Sequence, residues 1–249
     1  MALGFDLAAA AAGGRPPNTA LRFGYNAAME ELNLIQKIAI WALPVLFAVT
    51  LHEVAHGWVA KLCGDDTARR MGRLSLNPLH HVDPVGTLLV PGFLLLLGSF
   101  LPGGGFIFGW AKPVPVSWNR LRNTRRDVAL VAVAGPVANL LMALLWAMAI
   151  RLAVWIHVDF ITGPLAYMGV AGIAINVVLA ALNLLPLPPL DGGRIMTSLL
   201  PPRLAYKYAQ IEPYGFYILL ALVATNLLSY LLAVPVTLLQ GLFIAIAGV

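Results

Sequence analysis

Residues 34–62 read LIQKIAIWALPVLFAVTLHEVAHGWVAKL, and the fold turns on how this stretch is taken. About 20 apolar residues cross the hydrocarbon core of a bilayer as a helix. This run is longer, broken only by Gln36 and Lys37 near its start and by His52, Glu53 and His56 in its second half. It reads as a membrane span over 34–63, with Pro44 tolerated as a kink. The rest of the 249-residue chain has the same character: 60% hydrophobic, 11% charged, mean hydropathy +0.83. An ordinary soluble domain carries about 25% charged residues, so that class is excluded. The excess of 16 Lys+Arg over 11 Asp+Glu is no nucleic-acid signature, because the basic residues gather in short loops beside apolar runs. The expected surroundings are a lipid bilayer, with no nucleic-acid partner. A single cysteine excludes a disulfide framework and a Cys-based zinc cluster.

Residues 1–33, with their Ala/Gly run, read as a flexible arm; no basic stretch precedes the alanines, so no cleaved signal peptide is expected. Residues 34–249 read as one membrane-embedded unit. After a polar and basic stretch at 64–84, residues 85–108 are apolar but interrupted by Pro91, Gly92, Pro102 and Gly103 to Gly105. A second basic loop follows, with Lys112, Arg120, Arg122, Arg125 and Arg126. If 85–108 crossed the membrane, the two most basic loops would face opposite sides. The positive-inside bias prefers both in the cytoplasm, so 85–108 is expected to be re-entrant, as a broken helix or as short strands forming a β-hairpin. Further spans are expected at 128–156, 165–185 and 213–232, with a shorter one at 234–249. The fold class is an all-α integral membrane protein, a polytopic helical bundle with that re-entrant segment. Asp65, Asp66 and Asp83 are assigned to hydrated loops.

The chemistry concentrates at His52-Glu53-Val54-Ala55-His56. Positions i and i+4 share one helix face, so both imidazoles can ligate one metal ion, with the glutamate as general base. Ionisable residues inside a span are costly and point to function. The competing account is a hydrogen-bonded polar cluster between helices. A catalytic zinc usually takes three protein ligands. Asp191, in the proline-rich break Pro186 to Gly193, lies at about the right depth, but an Asp before Gly-Gly also suits a helix cap. The residues alone leave both roles open.

With these motifs in view, the chain resembles the site-2 protease family of intramembrane zinc metalloproteases, as a minimal member without PDZ or CBS domains. The resemblance rests on 52–56 and on Asn183-Leu184-Leu185-Pro186-Leu187-Pro188-Pro189-Leu190-Asp191-Gly192-Gly193. Asn77-Pro78-Leu79, residues 83–86, residues 109–116 and Ala134-Gly135-Pro136-Val137-Ala138-Asn139 are also similar to the family. The resemblance implies one Zn2+ per chain held by His52, His56 and Asp191, with Glu53 the catalytic acid/base. It also implies a role for Asn183 in positioning substrate or stabilising an oxyanion. Asn139, Phe106 and Gly109 are grouped as substrate-binding residues, the last two because the re-entrant segment offers a strand edge to an unwound peptide. The implied activity is hydrolysis of membrane-anchored proteins within or near their transmembrane segments, as in regulated intramembrane proteolysis. The implied location is a bacterial or archaeal cell membrane, multi-pass, with basic loops cytoplasmic. An intramembrane metal transporter is the rival function, disfavoured because no second His/Glu cluster recurs in the other spans.

Overall fold

The computed structural model describes residues 33–89, 93, 112–156 and 159–248. Its first long helix, α1 (Leu34–Leu62), starts at a reciprocal cap: Asn33 Oδ1 accepts from the Gln36 N–H, and Gln36 Oε1 accepts from the Asn33 N–H. A short α2 (Thr67–Arg70) follows, then α3 (Arg126–Ile156) and α4 (Asp159–Asn183). The chain breaks over residues 184–190 and continues as α5 (Asp191–Leu199), α6 (Pro202–Ala209), α7 (Glu212–Ala224) and α8 (Leu227–Ala247). Four of these helices are long and apolar enough to cross a membrane: Ile35–Leu62, Arg126–Ile156, Thr162–Asn183 and Leu227–Ala247. Each carries an internal proline, at Pro44, Pro136, Pro164 and Pro235, which neighbouring helices make tolerable in a membrane bundle.

The packing is that of a protein whose solvent is lipid. α3 lies along α4, α1 packs across both, and α8 covers their other side. Small residues make these contacts close: Ala48, Ala60, Ala132, Ala143, Ala147, Ala171 and Ala180 are buried, as helix association in lipid requires. Ile150, Ile173, Val177, Leu232 and Val236 fill the core between α3, α4 and α8. The outward faces are apolar too. Ile35, Trp155, Tyr230 and Leu238 are 78%, 77%, 79% and 69% exposed, and helices apolar all round belong in a bilayer.

Two expectations change. The spans expected at 213–232 and 234–249 are instead a 13-residue helix, Glu212–Ala224, and one 21-residue span, Leu227–Ala247. The break falls at Asn226, whose φ of 58° is left-handed, a conformation Asn tolerates better than most residues. Among the described residues there is no strand. The start of the segment expected to be re-entrant, Pro84–Leu89, is a π-helical turn. Apart from residue 93, positions 90–108 lie outside the described residues, as do Phe106 and Gly109, so the β-hairpin finds no support.

Candidate active site

α1 carries His52, Glu53 and His56 into the interface with α3. His56 Nδ1 lies 2.7 Å from the Val131 carbonyl, which can only accept, so this nitrogen carries the proton. His52 Nδ1 lies 2.6 Å from Asn139 Oδ1. The Asn139 amide nitrogen donates to the Ala48 carbonyl and to Asn176 Oδ1, at 3.1 and 2.9 Å. Asn176 in turn donates to the Gly172 carbonyl at 2.8 Å. That chain of donors fixes both amide orientations and leaves Asn139 Oδ1 as the acceptor for His52. In both neutral rings the free lone pair is therefore on Nε2.

These lone pairs face each other. The two Nε2 atoms stand 3.1 Å apart, and each lies 3.3 Å from Asp191 Oδ2. Asp191 Oδ2 is buried with no hydrogen bond. With both rings neutral, three electron-rich atoms meet here and repel unless a cation sits between them. Two imidazoles and a carboxylate are also a donor set suited to zinc, with a position left open for chemistry. The residues present thus fit a metal ion, and they form the one such group among the described residues. The backbone makes room for it. A Cβ at Gly135 of α3 would lie 2.4 Å from His56 Nε2 and 2.6 Å from His52 Cε1, so only glycine lets α3 pass this close to both rings.

Asp191 is brought in by the helix break. It opens α5, but Leu190 is the N-cap, and no side chain caps this end. The carboxylate points to the imidazoles instead and caps nothing, unlike the helix cap its sequence context also allowed. Glu53 Oε2 accepts the Val114 N–H at 2.7 Å. Asn183 ends α4, donates to the Leu179 carbonyl at 3.0 Å and lines the same cavity of about 380 Å3 as His52, Glu53, His56, Val114, Trp118, Asp191 and Arg194. Arg194 stacks over Trp118 at 4.6 Å and pairs with Glu212 at 3.5 Å.

Asn139 is not available to substrate. It is fully buried, and its amide is consumed by His52, Ala48 and Asn176, so it orients a ring rather than touching a peptide. Sequence reasoning missed Asn176, the Val131 carbonyl and Val114. The two backbone groups leave no trace in residue type, whereas Asn176, an amide within an apolar span, carried a signal of its own. Asp65, expected in a hydrated loop, is fully buried. Its Oδ1 accepts from the Thr67 N–H and hydroxyl, and its Oδ2 from the Ser117 N–H at 2.6 Å. Burial works to raise its pKa, but these hydrogen bonds, with Arg120 nearby, hold it below the ordinary carboxylate value.

Membrane-spanning helices around a two-imidazole, one-carboxylate pocket with an adjoining glutamate define a membrane metallohydrolase. Comparison with known proteins makes the class specific. The chain matches peptidase family M50 over residues 40–164 and 156–225. It is 41% identical over 197 residues to "Putative zinc metalloprotease YwhC" of Bacillus subtilis, covering 76% of this chain and 82% of that protein. It is 32% identical over 186 residues to "Putative zinc metalloprotease Rip2" of Mycolicibacterium smegmatis, covering 74% and 66%. The Rip2 protein of Mycobacterium tuberculosis is 31% identical over 191 residues, covering 76% and 66%. No solved structure gives a significant match. The chain belongs to peptidase family M50, the site-2 protease family of zinc metalloproteases.

Proposed function

We propose that the protein is an intramembrane zinc endopeptidase that hydrolyses membrane-anchored proteins within or near their transmembrane segments, as in regulated intramembrane proteolysis. The observation that carries this reading is the meeting of two imidazole Nε2 atoms and a carboxylate oxygen within 4.8 Å, beside a glutamate and among membrane-spanning helices. In it, His52, His56 and Asp191 hold the ion. Bound zinc supplies a Lewis acid that polarises a carbonyl and acidifies water. Glu53, next to His52 in the chain, takes a proton from the attacking water and returns it to the leaving amine. Asn183 has a second amide hydrogen beyond the one given to Leu179, suited to a developing oxyanion or to substrate backbone. Lys61 near the end of α1, Arg126 at the start of α3 and the arginines between them lie at the end of the bundle that bears the site. The positive-inside bias assigns that end to the cytoplasm.

A metal transporter needs successive stations for its ion. The described residues hold one ligand group, which favours hydrolysis. The test is a purified protein reconstituted with zinc and a single-pass substrate. Wild type is expected to cleave it. Glu53→Gln is expected to lose at least about 100-fold in rate with zinc content unchanged. Metal flux across vesicles that survives Glu53→Gln, with no proteolysis by wild type, would overturn the proposal.

A further inference from the structure

Residues 112–117 have no regular secondary structure and form one wall of the cavity through Pro113, Val114 and Val116. Three independent features hold this strap. At one end, the Arg73 guanidinium donates to the His80 carbonyl and, at 2.9 and 3.3 Å, to the Lys112 and Pro113 carbonyls, while the Lys112 N–H donates to the His81 carbonyl. At the other end, Asp65 Oδ2 accepts the Ser117 N–H, and the Thr67 hydroxyl reaches Ser117 Oγ at 3.0 Å. In the middle, the strap lies against α1 at Gly57. A Cβ there would sit 2.8 Å from Val114 Cγ1 and 2.5 Å from Leu74 Cδ2.

What the strap presents is unusually restricted. Pro113 and Pro115 have no N–H, so between Lys112 and Val116 the backbone offers one donor, that of Val114. It goes to Glu53 Oε2 at 2.7 Å. Held at both ends and seated on Gly57, the segment presents this N–H to Glu53. We infer that Pro113-Val114-Pro115 sets the position of the Glu53 carboxylate, and that Asp65 and Arg73 are positioning residues of the reaction that act through it. This rests on the hydrolytic reading above. Neither residue lines the cavity. Each holds the backbone whose N–H holds the acid/base group, and reaction rates are sensitive to misplacements of about 1 Å.

The test pairs kinetics with amide exchange, using the full chain with zinc. The peptide Pro113–Pro115 has a single exchangeable backbone amide, so its deuterium uptake reports the Val114 bond directly. Wild type is expected to protect it, and Glu53→Ala to release it. Asp65→Asn and Arg73→Gln are expected to speed its exchange and lower kcat by roughly 10- to 100-fold, with KM and zinc content within about 2-fold of wild type. Glu53→Asp is one methylene short of Val114, so adding Asp65→Asn to it is expected to cost little more, a non-additivity that marks one shared path. If Asp65→Asn fails to fold, Gly57→Ala displaces the strap from its middle and is expected to give the same kcat loss. Val114 exchange indifferent to Glu53→Ala, or kcat unchanged in strap variants of an active enzyme, would overturn the inference. An inactive wild type with a Glu53-dependent protected amide would support the strap and overturn the function proposed above.

Discussion

His52 and His56 each have one nitrogen committed to α3, to Asn139 and to the Val131 carbonyl, and this commitment is what aims the other nitrogen at Asp191. Partners of this kind fix ring orientation, and their loss typically weakens metal binding 10- to 100-fold. Asn139→Ala is therefore expected to lower zinc affinity by about that factor, measured by competition with a chromophoric chelator. It also strands the His52 N–H and Asn176 Oδ1 in a buried site, at about 1–3 kcal/mol each. Affinity within 2-fold of wild type would show that the ring needs no such support. Gly135→Ala pushes a methyl into both imidazoles and is expected to abolish stoichiometric zinc while helix content by circular dichroism is kept. At this scale the sequence was legible where chemistry is local: 52–56 declares itself because i and i+4 share a face. Asp191 was legible as a charge at a helix break, but only the geometry shows that its carboxylate turns to the imidazoles and caps nothing.

Among the elements, the long apolar runs at 34–63 and 128–156 corresponded closely to helices, since length alone marks a span. The ends of the last two helices did not. α7 and α8 are apolar on every face, so no periodicity shows where one stops, and Pro235 suggests a break that the bundle absorbs inside α8. The turn at Thr225 and Asn226 has only a weak polar signal. The connection between α1 and the 112–117 segment was equally silent, because Asp65 among charged neighbours looks solvated. Its burial has a pH consequence. A carboxylate held below its unfolded value contributes stability that is present above that value and lost as pH falls through the folded one. The thermal midpoint of wild type is therefore expected to fall more steeply below about pH 4 than that of Asp65→Asn, read in a detergent scan. Parallel curves would mean that Asp65 binds no more strongly when charged.

Across the described residues, large apolar side chains face outward as well as into the core, and His52, Asn139 and Asn176 are buried between helices. α1, α3 and α5 each contribute part of one ligand set or its supports, so an ion that binds there ties three elements that lipid alone does not drive together. Stripping zinc with a chelator is expected to lower the unfolding midpoint, and re-addition to restore it. A ligand at 100 times its Kd adds about 2.7 kcal/mol. His56→Ala is expected not to respond to either treatment. An equal response in that variant would place the stabilising ion elsewhere.

The ligand set is also spread along the chain in time. Its two nitrogen donors are made early and its oxygen donor only at residue 191, beyond the break. A nascent chain still short of that point has imidazoles in the membrane and no third anchor for the ion. The three-atom pocket is therefore completed only when the segment beyond the break comes back against α1.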